Sequence, residues 1–154
     1  MHTHTYKIYT IYIHPLINTH TEGGTWVFGN CNMSCDESSA ARSCCALWVA
    51  SGKVSLFECL IGQGAMNALA ACGDAVVEAD MCKIAGSVFG AGAADHASLD
   101  LKGCEVFNNQ SAFVAGPRPG DAILTVLDSN VYGNAQEWND KSRPKIVKER
   151  NTGF

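Results

Sequence analysis

This 154-residue sequence lacks long apolar runs, an excess of positive charge and any helical periodicity between residues 46 and 134. The longest apolar runs fall well short of about 18 residues, so no transmembrane helix is predicted. A net charge of -4 with only 17% charged residues offers no basic surface of the kind that nucleic acid requires. Nucleic acid is therefore excluded as a predicted partner, and an all-β fold is favoured over a helical one.

The two ends of the sequence differ in composition from the middle. Residues 1–22 consist almost entirely of His, Thr, Tyr and Ile, which is typical of a translated simple repeat or a misplaced start. They lack the basic start, apolar middle and cleavage site of a signal peptide, and none is predicted. We expect residues 1–22 to lie outside the fold, residues 23–135 to form the folded domain, and residues 136–154 to form a basic, solvated tail.

The middle of the sequence repeats itself four times. Cys59, Cys82, Cys104 and Ser129 each close the same apolar alternation, at intervals of 23, 22 and 25 residues. Three residues before each anchor stand Leu56, Ala79, Leu101 and Val126, and five before stand Val54, Val77, Leu99 and Leu124. Such a period is typical of a solenoid. Trp26, Phe28 and Cys31 begin an earlier, imperfect copy 28 residues upstream of the first full one.

The repeat predicts the architecture. Two-residue alternation around each anchor indicates a short strand with one buried face. A constant interval stacks successive strands in parallel, about 4.8 Å apart, and further Ala-rich strands recur in most coils. We therefore predict a right-handed parallel β-helix of about five coils with 22–28 residues per coil, whose stacked coils share one core. An antiparallel β-sandwich would explain the alternation but not the repetition of side-chain identity.

Two degenerate motifs carry a family resemblance. They are Ala46-Leu47, Ala68-Leu69 and Ala112-Phe113, and Val106-x-x-Asn109 and Val131-x-x-Asn134. Residues 24–135 resemble the parallel β-helix proteins of the pectin-lyase-like superfamily, including outer-membrane and autotransporter repeats. The resemblance implies an extracellular or cell-surface location and functions from polysaccharide cleavage to adhesion. Asn109 and Asn134 are expected at coil corners, in left-handed geometry, with hydrogen bonds along the stack.

Glu78 and Asp100 are the candidate catalytic residues. The alignment stacks them as a like-charged pair, which raises one carboxyl pKa, binds Ca²⁺, or cleaves a glycosidic bond in suitable surroundings. Two splayed, hydrated carboxylates are the alternative, and it is the one we favour. Asp80 beside Lys102 and Lys83 beside Glu105 are predicted as ordinary ion pairs across neighbouring coils.

Seven of the eight cysteines fall into two groups. Cys59, Cys82 and Cys104 are predicted to form a buried, reduced structural ladder, since free cysteine is a good small hydrophobe. The second group falls in or next to an irregular insertion and could close one or two disulfides; it comprises Cys31, Cys35, Cys44 and Cys45. Its spacing is poor for zinc, so no metal or other cofactor is predicted.

The functional prediction is a non-catalytic β-helix module, acting as a scaffold or as a binding or adhesion segment of a larger surface protein. A polysaccharide or a protein is the expected ligand, and coil ends could associate end to end. The alternative is a fragment of a polysaccharide-degrading β-helix enzyme. Trp26, Trp48 and Trp138 are assigned to core and end packing rather than to a sugar platform, with exposure of Trp48 as the observation that would reverse this.

Overall fold

The computed structural model describes residues 25–34, 45–115, 121–138 and 145–153, and all regular secondary structure in these ranges is β. The first eight strands are β1 Thr25–Gly29, β2 Asn32–Ser34, β3 Cys45–Val49, β4 Lys53–Phe57, β5 Leu60–Gly62, β6 Asn67–Ala71, β7 Val76–Asp80 and β8 Lys83–Ala85. The remaining strands are β9 Phe89–Ala93, β10 Ser98–Lys102, β11 Glu105–Phe107, β12 Ser111–Ala115, β13 Ile123–Leu127, β14 Asn130–Tyr132, β15 Gln136–Trp138 and β16 Lys145–Glu149.

These strands form three parallel sheets. Sheet A contains β1, β4, β7, β10, β13 and β16 in that order, sheet B contains β2, β5, β8, β11 and β14, and sheet C contains β3, β6, β9, β12 and β15. Strands of sheet A begin 28, 23, 22, 25 and 22 residues apart. The fold is therefore a parallel β-solenoid of about four turns with about 23 residues per coil, and the predicted fold class and coil length are confirmed.

The corner between sheets A and B is made by one residue in the left-handed backbone region. In each of six coils this residue immediately precedes the anchor position, with φ between 48° and 60°; the six are Asn30, Glu58, Met81, Gly103, Asp128 and Arg150. A single left-handed residue turns the chain sharply, so that only two residues separate a strand of sheet A from one of sheet B.

The corner between sheets B and C is also made by a residue with positive φ. The position of this residue corrects the backbone prediction for Asn109 and Asn134. The positive-φ residue that recurs at one position of this corner is Gln63, Gly86, Asn108 or Gly133, and in the first of these coils Gly62 and Gly64 on either side of Gln63 have positive φ as well. Asn109 and Asn134 each follow such a residue and are not themselves left-handed. The sequence analysis identified the right corner but placed the unusual backbone one residue too late.

The core is a set of side-chain rows that run along the solenoid axis. Val54, Val77, Leu99 and Leu124 form one row, and each is fully buried. Sheet C supplies another row, with Leu47, Leu69, Ala91 and Phe113 at 0% exposure. No single coil could bury these apolar faces by itself, so stability comes from the contact of each coil with its neighbours.

The solenoid extends past residue 135, into the segment that the sequence analysis assigned to a basic tail. β15 pairs with β12, β16 pairs with β13 over five residues, and Thr152 forms a bridge with Asn130. Residues 1–22 lie outside the described residues. Among those that are described, no helix is long and apolar enough to cross a membrane.

Candidate functional site: the outer face of sheet A

Polar side chains follow one another along the outer face of sheet A. The backbone register aligns Ser55, Glu78, Asp100 and Thr125 as one row across β4, β7, β10 and β13. The next row along the strands contains Asp80 and Lys102, also in register. A shallow groove with a cavity volume of about 320 Å³ runs across this face, and its side chains include Glu78, Asp80, Asp100, Lys102, Thr125 and Leu127.

Glu78 and Asp100 are brought together as the sequence analysis expected. They are partners in the β7–β10 ladder and both line the groove. Neighbouring strands lie about 4.8 Å apart, so the two carboxylates leave the backbone as adjacent members of one row. Asp80 lines the same groove, which adds a third acid that the sequence analysis assigned only to an ion pair with Lys102.

The surroundings of Glu78 are those of a charge-paired, hydrated carboxylate. Lys53 Nζ lies 2.8 Å from Glu78 Oε1, and Ser55 Oγ donates to Oε2 at 3.4 Å. Both charged side chains are close to half exposed, at 45% for Lys53 and 47% for Glu78. Glycosidases that use a carboxylic acid as the proton donor place it in an apolar or enclosed pocket, and this face provides none around Glu78.

The two opposite-charge pairs predicted from the sequence are both in register, but among the described residues only the pair on sheet B forms a salt bridge. Lys83 lies beside Glu105 on sheet B, with Nζ 3.7 Å from Oε2, and Asp80 lies beside Lys102 in the ladder of sheet A. Pairs of this exposure contribute at most about 1 kcal/mol each. These charged residues lie on a solvated surface and do not form a catalytic or binding site by themselves.

Trp48 lies on the outer face of sheet C, which corrects its assignment to the core and returns a sugar platform on that sheet to the open hypotheses. Its side chain is 46% exposed, and its indole Nε1 donates to Cys72 Sγ at 2.8 Å. The next residues in its row are small, namely Ala70 and Gly92. Trp26 is also 46% exposed although it is in register with the buried Val54, while the side chain of Trp138 lies outside the described residues.

The cysteine ladder is longer than the sequence analysis proposed. Backbone hydrogen bonds of 2.8–3.0 Å join each anchor position to the next coil. The carbonyl of one anchor accepts from the N–H of the residue that follows the next anchor, as Cys59 O does from Lys83 N. The complete column is Cys31, Cys59, Cys82, Cys104, Ser129 and Asn151. Its four cysteines are free and at most 7% exposed.

Hydrogen bonding and burial govern the acidity of these thiols. Burial first, and then Cys59, raises the pKa of Cys31. A hydrogen bond with Cys82, followed by burial, raises the pKa of Cys59, and a hydrogen bond with Cys104 raises the pKa of Cys82 to about 11. The same Cys82 contact lowers the pKa of Cys104. The column is thus a chain of coupled thiols, three of which are held in the protonated form.

The insertion cysteines are only partly covered by the structure. Cys31 belongs to the column and Cys45 begins β3, where Asn67 Nδ2 donates to its sulfur at 3.6 Å. Cys31 is a free thiol, whereas Cys35 and Cys44 lie outside the described residues. Among the residues that the structure describes, no group of three or more potential ligands could hold a metal ion.

The asparagine corner forms the predicted hydrogen bonds. Asn109 Oδ1 accepts from Ser87 N at 3.1 Å, and Asn134 Oδ1 accepts from Asn109 N at 3.0 Å. Each side-chain amide also donates to a carbonyl of the preceding coil, Ile84 O at 3.1 Å and Val106 O at 2.9 Å. These residues therefore join coils together, which is a structural role.

No protein-family model, curated protein or solved structure matches this chain. The parallel β-solenoid is established by its geometry alone, and the resemblance to the pectin-lyase-like superfamily has no further support.

Proposed function

We propose that this solenoid is a non-catalytic binding module, whose groove on sheet A takes an uncharged polysaccharide lying across the strands. The observation that carries the proposal is the pairing of Glu78 with Lys53 on an open, solvated face. A carboxylate engaged in this way can accept hydrogen bonds from sugar hydroxyls, but it is poorly placed to deliver a proton to a glycosidic oxygen.

The composition of the groove supports an uncharged ligand over an anionic one. Three carboxylates line it, from Glu78, Asp80 and Asp100, against the single ammonium of Lys102. An acidic glycan would meet like charges at close range. Thr125 and the carboxylates supply hydrogen-bonding groups, and Leu127 supplies an apolar contact at one side.

Binding of soluble neutral polysaccharides, measured by affinity electrophoresis or on a glycan array, tests the proposal. We expect Asp100→Asn, which keeps the shape and some hydrogen-bonding capacity, to weaken binding modestly, and Asp100→Leu to abolish it. Lys83→Leu on sheet B is the matched control and should bind normally. Equal binding by the Asp100→Leu variant and the unchanged protein would refute the assignment of the groove.

The second candidate function is glycoside cleavage, and it rests on the in-register pair Glu78 and Asp100. If that pair is catalytic, the protein should release reducing ends from pectic or related glycans. The double change Glu78→Gln and Asp100→Asn should then abolish release. The non-catalytic proposal instead expects no release from the unchanged protein while binding remains measurable.

A further inference from the structure

The anchor position of every coil performs the same task with three different residue types. Cys31, Cys82 and Ser129 donate to the carbonyl two residues earlier, at Gly29 O, Asp80 O and Leu127 O, over 3.3, 3.3 and 2.7 Å. Asn151 Nδ2 donates instead to Val126 O of the preceding coil, at 2.6 Å. What the corner requires is a short side chain with a proton to donate.

Cys59 and Cys104 use both kinds of acceptor. The Cys59 thiol lies 3.4 Å from Phe57 O and 3.5 Å from Phe28 O of the preceding coil. The Cys104 thiol lies 3.3 Å from Ala79 O of the preceding coil and 3.5 Å from Lys102 O. The thiol proton is therefore part of the corner, and a sulfur without a proton cannot replace it.

The stacking geometry would strain a disulfide between neighbouring coils, although it brings their Cα atoms within the range that a disulfide accepts. Parallel, in-register side chains are separated by the strand spacing of about 4.8 Å. A disulfide needs its two Cβ atoms about 3.5–4.5 Å apart and a twist of about 90° around the sulfur–sulfur bond. Joining Cys59 to Cys82 would pull two coils together at one corner and would remove both protons from their acceptors.

We propose that the column of Cys31, Cys59, Cys82 and Cys104 makes folding of the solenoid depend on a reducing environment. In the unfolded chain these thiols are free to meet. Glutathione disulfide can then take two protons and two electrons from a pair of them by thiol–disulfide exchange, giving one protein disulfide and two molecules of glutathione. A chain cross-linked in this way cannot stack its coils in register.

The folded protein behaves in the opposite way. Its column thiols are at most 7% exposed, so an oxidant in solution has little access to them. The raised pKa of Cys31, Cys59 and Cys82 makes these thiols poorer nucleophiles still, and Cys104, whose pKa is lowered, is protected by burial alone at 1% exposure. Once folded, the column should resist the oxidant that blocks its folding. The partly exposed Cys72 provides an internal comparison, because it should react with a thiol reagent first.

Two complementary full-length variants test the proposal. One replaces the four column cysteines by serine, the residue that already occupies the fifth coil, and the other replaces Cys35, Cys44, Cys45 and Cys72 by serine. Each variant and the unchanged protein are unfolded in denaturant with reductant and then diluted into glutathione disulfide or into reductant. Recovery of the β circular dichroism signal and of monomer in gel filtration is measured.

The unchanged protein and the variant that keeps the column should lose most of their recovery in glutathione disulfide. The column-free variant should recover equally in both conditions. The proposal would be overturned if the variant without the four column cysteines still needed reductant to refold. It would also be overturned if the variant that keeps only those four cysteines refolded equally well with and without reductant. If the column-free variant fails to fold at all, peptide mass spectrometry of the oxidised, unfolded wild-type chain decides: a disulfide between column cysteines supports the proposal, and none refutes it.

Discussion

Ser87 and Ser129 are both buried serines, yet removal of their hydroxyl groups should change stability in opposite directions. Ser87 is 7% exposed and Ser129 is 3% exposed. Ser129 Oγ donates to Leu127 O at 2.7 Å and accepts from Cys104 N at 3.0 Å. Ser87 Oγ, in contrast, has no hydrogen-bond partner among the described residues. Ser→Ala at the two sites is therefore a matched experiment on one chemical group.

The expected magnitudes follow from these contacts. Ser129→Ala leaves a buried N–H and a buried C=O without this partner, which should lower the free energy of unfolding by about 2 kcal/mol. Ser87→Ala removes a hydroxyl whose burial is uncompensated, which should raise it by about 1 kcal/mol. The lost oxygen leaves little void, because the site faces Gly62, whose Cβ, if present, would lie only 2.6 Å from Ser87 Oγ.

Urea unfolding followed by circular dichroism measures both variants against the unchanged protein. A chain of this size shifts its melting temperature by roughly 2–4 °C per kcal/mol, so thermal melts should separate the two variants clearly. Destabilisation of similar size at both positions would refute the reasoning. It would mean that the hydroxyl of Ser87 is satisfied and that the two sites are equivalent.

Two further predictions use the same measurements. Leu101→Ala should cost about 2–4 kcal/mol because it opens a cavity at a fully buried position, whereas Lys102→Ala beside it should cost little, and equal losses would contradict the facing of β10. Hydrogen bonds from Arg150 lower the pKa of Asp128, so this pair stabilises the fold above the ordinary carboxyl pKa and loses that contribution as pH falls. The melting temperature of Asp128→Asn should therefore lie slightly below that of the unchanged protein near pH 7, and the gap should close as the pH falls through the lowered pKa of Asp128; a gap that stays constant over the whole acid range would exclude the ion pair as its cause.

The solenoid could be predicted because its interior repeats side-chain identity as well as hydrophobicity. Val54, Val77, Leu99 and Leu124 stand at one offset and occupy one buried row. The last coil was not predicted because its anchor is Asn151 and its strand β16 contains two Lys residues. Neither feature resembles the earlier coils in hydrophobicity. Counting Cys, Ser and Asn as equivalent short donors at the anchor would have found it.

On the outer faces, the sequence predicts which residues are neighbours in the strand register. It does not predict which side chains contact each other. The intervals placed Glu78 beside Asp100, and the ladder of sheet A agrees. They did not indicate that Lys53 pairs with Glu78, because those residues belong to different outward rows and meet only through long, flexible side chains. Trp48 was misplaced for a related reason: its neighbours in the row, Ala70 and Gly92, gave no sign of which face of sheet C they occupy.

The buried interior and the outer faces of the sheets are under different constraints. This difference explains why the fold can be predicted from the sequence more clearly than the ligand can. Inside, each coil must match the coils above and below, so an altered residue such as Ser129 survives only if it repeats the donor role of Cys104. Outside, a side chain needs only to be soluble and to avoid a clash with its neighbours. Binding at the groove around Asp100 must therefore be established by experiment, whereas the donor rule at the corner can already be read by comparing one coil with the next.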